Sequence, residues 1–266
     1  MSADIKSLRV RIKSVDSTLH LTKAMALVAS SKIRKATDAM HKGREYKKAI
    51  DEIIKLVSSS AECRKNPYML ARGTRTRLIV ISGDRGLAGG YNANVFRAAK
   101  ALEGAELFPI GKRGCDRFGA AQNSSESFSY EQAYEIAKKM CDDYLAGEYD
   151  RLGIVSTKFI SMLSQEVNTT FVLPIEQCAN SNESDVIFEP DELTILNSAV
   201  PEYVAGSIYS ALRESFACEV IARKTAMDSA GKNAQEMLDD LQLKYNRARQ
   251  SAITQEITEI VAGSGE

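Results

Sequence analysis

The chain is poor in the residues from which many metal and catalytic sites are built. It contains no tryptophan among its 266 residues, and its only histidines are His20 and His41. A zinc site with histidine ligands is therefore not expected. Aromatic residues make up 7 % of the chain and hydrophobic residues 44 %. That balance favours helices packed through small and aliphatic side chains over a large globular core.

Closely spaced cysteine pairs and long apolar runs are also missing from the sequence. The five cysteines are an odd number, lie far apart and form no CxxC motif, which favours reduced thiols in a cytosolic compartment. No stretch approaches the roughly 18 consecutive apolar residues of a membrane-spanning helix. The N-terminus lacks the apolar run of a signal peptide. We therefore expect no direct membrane insertion, so that any work at a membrane is done through partner proteins.

A glycine-rich loop at residues 83–91 is the one candidate for a phosphate site. Its glycines stand at positions 83, 86, 89 and 90, which fits neither GxGxxG nor GxxxxGK(S/T). Asp84 and Arg85 are therefore expected to pair or cap locally, while the glycines turn the chain. The sequence also has no GxSxG, HExxH or kinase-like set of motifs. We predict no catalytic residues, no cofactor and no metal site on this chain.

The charge is balanced overall but not along the chain. The net charge is zero, which gives no general attraction to nucleic acid. Residues 1–36 carry eight basic and two acidic side chains, a net charge of +6. This bias fits either a solvated helix face or an acidic partner surface. One predicted helix carries four acidic side chains that we expect to be solvated, namely Glu131, Glu135, Asp142 and Asp143.

The first 57 residues carry a continuous seam without proline. Steps of three and four residues define its positions: Ile5, Leu8, Ile12, Val15, Leu19, Thr22, Ala26, Ala29, Ile33, Ala36, Met40, Gly43, Lys47, Ile50, Ile54 and Val57. A seam of this length is typical of a coiled coil. At 1.5 Å per residue the helix would run for about 80 Å. It therefore needs a partner helix of similar length.

A second proline-free stretch, from Glu202 to Ala262, supplies that partner. Its predicted seam consists of Met227, Ala230, Ala234, Met237 and Leu241, followed by Tyr245, Ala248 and Ala252. The two successive steps of four around Leu241 are a stutter, which should relax a left-handed supercoil locally. Small residues in the middle of both seams would let the helices approach closely and form a thin, stiff rod. Gly263 and Gly265 are the expected stop.

The middle of the chain alternates between strand and helix patterns. Strands are predicted at 77–82, 106–111, 151–157 and 167–173, with a weaker candidate at 186–188, and helices at 92–102 and 132–145. This order indicates a small α/β layer with a partly parallel sheet, and 178–185 is predicted to be a loop. The fold class is α/β with a long antiparallel two-helix coiled coil. We assign 1–60 and 201–262 to the two shaft helices and 75–195 to an inserted Rossmann-like domain.

Three blocks of the sequence resemble the gamma subunit of F-type (rotary) ATP synthase. They are LTKAMALVASSKIR at 21–34, SGDRGLAGGYN at 82–92, and residues 223–261, which end in YNRARQSAITQEITEIV. Together and in this order the blocks are specific to that family, and the likeness runs from end to end. Residues 112–200 match mainly by pattern and are short for the family. Ala88 stands where many members have cysteine.

The resemblance implies a mechanical function. The two-helix shaft would turn inside a hexamer of three alpha and three beta subunits, while the α/β domain contacts an epsilon subunit and the membrane c-ring. Ion flow would turn the ring and shaft, and the shaft would push each beta subunit through states of different nucleotide affinity. The chain itself would carry no active site. It would lie at the cytoplasmic face of the bacterial inner membrane, held there by its partners.

The resemblance also assigns roles to individual residues. Lys23 and Met25 would lie near an acidic lever segment of a beta subunit, which fits the basic bias of residues 1–36. Six residues match positions of coupling or of contact with beta, namely Arg223, Arg249, Gln250, Thr254, Glu256 and Glu259. Glu189 matches a position close to the ring. By composition alone, Met25 is an ordinary packing residue and the polar C-terminal positions form a solvated face.

Two other functions stay open at this point. A non-rotary coiled-coil scaffold or adaptor with an α/β module would share the seams, but it gives no reason for the polar C-terminal face. A nucleotide-dependent enzyme built on the central domain would need the phosphate-binding lysine that the glycine-rich loop lacks.

Overall fold

The computed structural model describes residues 2–121, 123–176 and 188–263. The elements are α1 (Ser2–Ser58), β1 (Thr76–Ile81), α2 (Tyr91–Lys100), β2 (Glu106–Ile110), α3 (Lys112–Phe118), α4 (Tyr130–Leu145), β3 (Arg151–Phe159), β4 (Gln165–Leu173) and α5 (Glu192–Gly263). Two short 3-10 turns, Glu62–Lys65 and Pro67–Met69, precede β1. The predicted loop at 178–185 and, apart from Phe188, the weak strand at 186–188 lie outside the described residues.

The chain divides into two compact units. The helical unit consists of Met1–Ser31 and Arg223–Glu266, and the sheet unit of Lys32–Ala222. Helices α1 and α5 each contribute residues to both units. The assignment of 1–60, 75–195 and 201–262 to three separate domains stays a prediction.

In the helical unit, α1 and α5 run antiparallel along the predicted seam. An added Cβ at Gly231 would meet Thr22 Oγ1 at 3.5 Å, and Leu238 and Gln242 line one surface cleft together with residues 9–16 of α1. The seam positions of α1 are buried or half-buried, and among those in this unit Leu19, Thr22 and Ala29 are buried most deeply. The antiparallel two-helix architecture expected from the sequence is therefore confirmed.

One predicted seam position on α5 is wrong. Met237 is 46 % exposed, whereas Leu238 is 8 % exposed and takes the seam position. The steps from Ala230 through Ala234 to Leu238 are thus both four, and the stutter lies about two turns earlier than predicted. Neighbouring apolar residues cannot be ranked by spacing alone, because either choice keeps the pattern close to 3.6 residues per turn.

Helix α5 also starts earlier than the proline-free stretch indicated. Asp191 caps its first turn by accepting a hydrogen bond from the Thr194 amide at 2.8 Å. Pro201 lies inside the helix, where a proline costs about 3 kcal/mol or more. Helix residues around it are fully buried in the main core, namely Leu196, Val200 and Val204. At about 1.5–3 kcal/mol for each buried side chain, their burial outweighs the cost of the proline.

The sheet unit is built on a four-stranded sheet in the order β2-β1-β3-β4. Strand β1 pairs in parallel with β2 and β3, and β4 pairs antiparallel with β3. The partly parallel sheet expected from the sequence is therefore confirmed. Alternate side chains of β1 enter different clusters: Leu78 and Val80 pack with α2, whereas Ile79 and Ile81 join the main core with α1, α4 and α5.

Helix α3 was not predicted from the sequence. It has seven residues, too few for a clear apolar period. Its start is fixed by Gly111, which has φ 100° and whose Cβ, if present, would lie 2.1 Å from the Ser82 carbonyl oxygen. Only glycine fits at this turn. Here the chain turns from β2 into the helix at the carboxyl edge of the sheet.

Four of the cysteines are free thiols buried in the sheet unit, namely Cys63, Cys115, Cys141 and Cys218. Burial raises the pKa of the Cys141 and Cys218 thiols to about 12. Both are therefore protonated at neutral pH and act as small packing residues. Cys178 lies outside the described residues.

Candidate partner interface

The first predicted contact group lies on α1 of the helical unit. Thr22 is buried in the seam and its hydroxyl donates to the Leu19 carbonyl at 2.9 Å. Lys23 on the next position is exposed, and Met25 is half-buried beside the seam. One side chain of this turn therefore packs against α5 while its neighbour presents a positive charge to the surroundings.

On α5, Arg223 is half-buried and opens the helical unit. One residue later, Lys224 forms an exposed ion pair with Asp228 at 2.8 Å. By the register that sets Thr22 against Gly231, Arg223 is level with about residue 30 of α1, roughly 8 Å along the axis from Met25 and roughly 10 Å from Lys23. These three residues therefore lie within about two helical turns of one another.

The remaining predicted residues of the helical unit form a second, separate group near the end of α5. Arg249, Gln250, Thr254, Glu256 and Glu259 are all exposed. Eighteen residues separate Arg249 from Gly231, which corresponds to about 27 Å along a helix. The two groups therefore cannot meet one and the same side chain of a partner.

Within the second group the hydroxyl of Thr254 is used inside the helix. It donates to the Gln250 carbonyl at 2.9 Å, and Glu259 accepts a hydrogen bond from Gln255 at 2.9 Å. The Gln250 side chain, Arg249 and Glu256 extend from an exposed helix surface. They offer an amide, a guanidinium and a carboxylate to a partner, a set suited to directional hydrogen bonds.

Apolar residues between these polar ones were not singled out by the sequence analysis. Ile253, Ile257 and Ile260 are 47 %, 56 % and 70 % exposed. Their spacing of four and three continues the helical period past the last seam residue. By the observed register, the first residue of α1 lies level with about residue 251 of α5. Counting the two helices against each other would have shown that this apolar stripe lies past the level of Ser2, the first residue of α1.

Large apolar side chains are exposed on the outer face of α1 as well. Leu21, Leu27 and Val28 are 65 %, 73 % and 55 % exposed. These side chains are available for contact with a partner protein. In the helical unit the seam thus occupies one side of each helix, while apolar and charged side chains cover the rest.

Glu189 belongs to the sheet unit and stands apart from the other predicted residues. It is exposed and lies just before the first turn of α5. Its location is compatible with a contact to a partner.

The glycine-rich loop is held by its own polar groups. Asp84 accepts hydrogen bonds from the Ser124 hydroxyl at 2.6 Å and from the amides of Lys112, Ser125 and Glu126. Burial tends to raise the pKa of the Asp84 carboxyl, but these hydrogen bonds outweigh it and keep the pKa below its ordinary value. Arg85 pairs with Glu126 at 3.5 Å. Asp84 and Arg85 do cap and pair, but their partners lie at the start of α3 and at 124–126, so the local contacts expected from the sequence are replaced by long-range ones.

Over 2–121, 123–176 and 188–263, none of the helices has the length and hydrophobicity needed to cross a bilayer. Over the same residues, His, Cys, Asp and Glu side chains form no group of three or more that could hold a metal ion.

Sequence comparison identifies relatives along the whole chain. The family model described as ATP synthase matches residues 4–265. The ATP synthase gamma chain of Ruminococcus albus is 38 % identical, with 98 % of each chain covered. The gamma chain of Geotalea uraniireducens is 37 % identical over 98 % of each chain. A sodium ion specific ATP synthase gamma chain of Acetobacterium woodii is 38 % identical over 99 % of each.

Solved structures share the fold. A chain from the central stalk and c-ring of the Tetrahymena thermophila mitochondrial ATP synthase matches with a TM-score of 0.64 at 24 % identity, covering 79 % of this chain and 99 % of that one. A chain from the Euglena gracilis mitochondrial ATP synthase matches with a TM-score of 0.68 at 16 % identity, covering 98 % and 94 %. The sequence motifs of the present chain agree with these relatives, and so does its two-helix seam with an inserted α/β layer. The chain belongs to the ATP synthase gamma chain family.

Proposed function

We propose that this chain is the central rotor shaft of an F-type ATP synthase and couples ion-driven rotation to ATP synthesis or hydrolysis. The observation that carries the proposal is the surface of the helical unit. Its seam is buried and rich in small residues, yet Leu27 and Ile260 remain at least 70 % exposed. An isolated two-helix unit gains nothing from such side chains in water. A surrounding protein surface would cover them.

The rotor function calls for contacts that can be made and broken as the shaft turns. The exposed apolar residues of the helical unit are scattered along both helices among polar ones, and its interior carries small side chains such as Ala29 and Ala234. Scattered apolar contacts are individually weak and non-directional, so one set can be exchanged for another. The stiff seam keeps the two helices together while this happens.

The proposed partners are three alpha and three beta subunits around the helical unit, together with an epsilon subunit and the membrane c-ring at the sheet unit. The basic bias of residues 1–36 supports an acidic beta segment near Lys23 and Met25. Arg223, Arg249, Gln250, Thr254, Glu256 and Glu259 are proposed as coupling contacts. Glu189 is proposed as a contact near the ring. The complex would lie at the cytoplasmic face of a bacterial inner membrane, with this chain peripheral.

Co-expression with alpha and beta subunits from the same source tests the central proposal. We expect this chain to elute with them in a single complex of three alpha, three beta and one copy of this chain, and the ATPase activity of the complex to depend on it. The rotor function would be overturned if this chain eluted alone and its presence did not change the ATPase activity of the alpha–beta assembly. In that case a non-rotary scaffold would be the better description.

Met25→Lys tests the proposed contact on α1. A second positive charge beside Lys23 would hold the acidic beta segment too tightly, so we expect weakened coupling between ATP turnover and ion pumping with assembly preserved. Met162→Lys is a matched control, because Met162 is 47 % exposed but lies in the sheet unit. Unchanged coupling in the Met25 variant would refute the placement of this residue against beta.

A further inference from the structure

Strand β3 is longer than the strand beside it. The parallel register aligns Val80 of β1 with Val155 of β3, and β1 ends one residue later at Ile81. Strand β3 continues to Phe159, and on its other side β4 pairs with it along this whole stretch. The backbone groups of Thr157 and Phe159 that face the β1 side therefore lie past the end of β1.

Side chains from the two long helices take the place of the missing strand. The Thr157 amide donates to the Ser215 hydroxyl at 3.1 Å, and the Phe159 amide donates to Glu214 Oε1 at 2.8 Å. The Phe159 carbonyl accepts from Arg44 Nη2 at 2.9 Å. Buried backbone groups need such partners, because an unpaired one costs a large part of the energy of a hydrogen bond.

Arg44 and Glu214 also bind each other. Arg44 Nη2 lies 2.6 Å from Glu214 Oε1, and the guanidinium stands 5.9 Å from the centre of the Phe159 ring. The Glu214 side chain is only 15 % exposed. One residue of β3 is thus held through its amide by α5 and through its carbonyl by α1, and the two holding side chains form an ion pair. We call Arg44, Glu214 and Phe159 the strand clamp.

We propose that Arg44 and Glu214 are positioning residues that fix β3 to α1 and α5, so that the sheet and these helix segments turn as one body. This proposal rests on the proposed rotor function. The sheet meets these helices partly through apolar core contacts, and such contacts resist separation better than sliding because they have no preferred direction. Hydrogen bonds to a charged carboxylate and from a guanidinium are directional and strong. The strand clamp would therefore resist the shear that torque places on the boundary between sheet and helices.

Amide hydrogen exchange on the isolated chain tests the clamp without any partner. In Glu214→Ala the Phe159 amide loses a charged acceptor, so we expect its exchange to become faster by about tenfold or more. Glu52→Ala is the control, because Glu52 belongs to an exposed pair with Lys48 at 3.9 Å on α1. Unchanged exchange at Phe159 in the Glu214 variant would show that the clamp holds nothing.

The role in torque transmission is tested in the complete ATP synthase reconstituted in vesicles, by measuring ATP-driven ion uptake and ATP hydrolysis on the same sample. In Glu214→Ala we expect the ratio of ions pumped to ATP hydrolysed to fall at least about twofold, a loss that a merely destabilised but assembled subunit would not give. Glu214→Gln keeps an oxygen acceptor for the Phe159 amide and should restore most of the ratio. Glu52→Ala should not change it.

The charge-swapped double variant Arg44→Glu/Glu214→Arg separates the clamp from a plain ion pair. The swap keeps opposite charges but puts an acceptor opposite the Phe159 carbonyl and a donor opposite its amide. We expect no rescue, whereas full rescue would mean that only the pairing of helices matters and would overturn the proposal. A wild-type ratio in Glu214→Ala would overturn it as well. Should that variant fail to assemble, Arg44→Gln is measured in the same way, and a wild-type ratio there has the same meaning.

Failure of the rotor function gives a different result. If the wild-type chain does not assemble with the other subunits, the proposed function fails while the exchange experiment still reports on the strand clamp.

Discussion

The two units of this chain are stabilised in different ways. In the sheet unit, polar side chains far apart in sequence meet: Arg77 binds Glu106, Asp143 and Glu148, and Asp84 gathers the amides of a distant loop. In the helical unit, ion pairs join residues four apart on one helix, such as Lys224–Asp228 and Lys244–Asp240. Pairs of the second kind contribute only about 0.3–0.5 kcal/mol each. The structure of the sheet unit is thus fixed by long-range contacts among its own residues. The helical unit depends mainly on its seam, and its exposed side chains are left for contact with partners.

Leucine-to-alanine substitutions, one in each unit, should show the largest difference in stability between the two units. Leu152 of β3 is fully buried in the main core, and Leu27 is 73 % exposed on α1. We expect Leu152→Ala to lower the free energy of unfolding by about 2–5 kcal/mol. Leu27→Ala should change it by less than about 0.5 kcal/mol. Chemical denaturation of the isolated chain measures both.

Assembly should reverse the order of the two leucine variants. Leu27→Ala should weaken binding to the alpha and beta subunits, because the side chain is available only to a partner. A Leu27 variant that unfolds as easily as the Leu152 variant would show that the contrast between the units is wrong.

The next largest loss of stability is expected when the buried guanidinium of Arg77 is removed. The Arg77 side chain is 8 % exposed, its Nη1 lies 2.5 Å from Asp143, and its guanidinium stands 4.4 Å from the Tyr149 ring centre. We expect Arg77→Ala to cost about 3 kcal/mol, because Asp143 is left as a partly buried, uncompensated charge. Thermal and chemical unfolding measure this loss. Arg77→Ala/Asp143→Ala should recover part of it, and a double variant no more stable than the single one would argue against a charge effect.

Two glycines of α5 give a matched pair of smaller effects. An added Cβ at Gly231 would meet Thr22 at an ordinary 3.5 Å, but at Gly206 it would lie 2.9 Å from the Tyr46 ring. Gly231→Ala should stabilise by about 0.5–1 kcal/mol through helix propensity. Gly206→Ala should destabilise by about 1 kcal/mol, because overpacking exceeds that gain.

The outcome of the glycine pair also checks how firmly Tyr46 is held. Its hydroxyl lies 2.9 Å from that of Tyr130, which limits the movement of the ring. If both glycine variants changed the melting temperature equally, the Tyr46 ring would have to move aside freely to make room for the added Cβ.

The last expected effect depends on pH and involves the Asp84 carboxylate. Folding lowers the pKa of the Asp84 carboxyl below its value in the unfolded chain, which is about 4. The carboxylate therefore contributes its full stability above about pH 4, and this contribution is lost as the pH falls through the pKa of the folded state. We expect Asp84→Asn to cost about 1 kcal/mol at pH 7. The difference from wild type should shrink below about pH 4. Urea titrations at pH 7 and pH 3 measure it, and a difference independent of pH would rule out the carboxylate as its source.

The sequence could predict features that repeat along the chain and not those that depend on distant contacts. The seam of α1 was predicted residue by residue, because sixteen positions at steps of three and four leave little freedom. Met237 was assigned wrongly because a single step cannot distinguish it from Leu238. The first turns of α5 were not predicted because proline normally ends a helix and Pro201 follows them. Only the core contacts around Pro201 keep the helix continuous there.

Long-range polar contacts were the other limit. Asp143 was expected to be solvated with its neighbours, yet it binds Arg77 from sixty-six residues away. Glu135 and Asp142, in contrast, are exposed as expected. For the interface, the family motifs identified polar residues of α5, whereas the apolar stripe of Ile253, Ile257 and Ile260 needed the register between the helices. Residue roles in coupling stay predictions.

The exposure of the last turns of α5 has a thermodynamic consequence. Residues 253–262 of this helix are all exposed, and adding a residue to an existing helix in water changes its free energy very little. Helical order in this segment is therefore cheap to lose and to regain. A partner that binds this segment must supply the ordering entropy, which lowers the affinity of the contact. In the proposed rotor, such weak contacts would hold the end of α5 in place and still be exchanged as it turns.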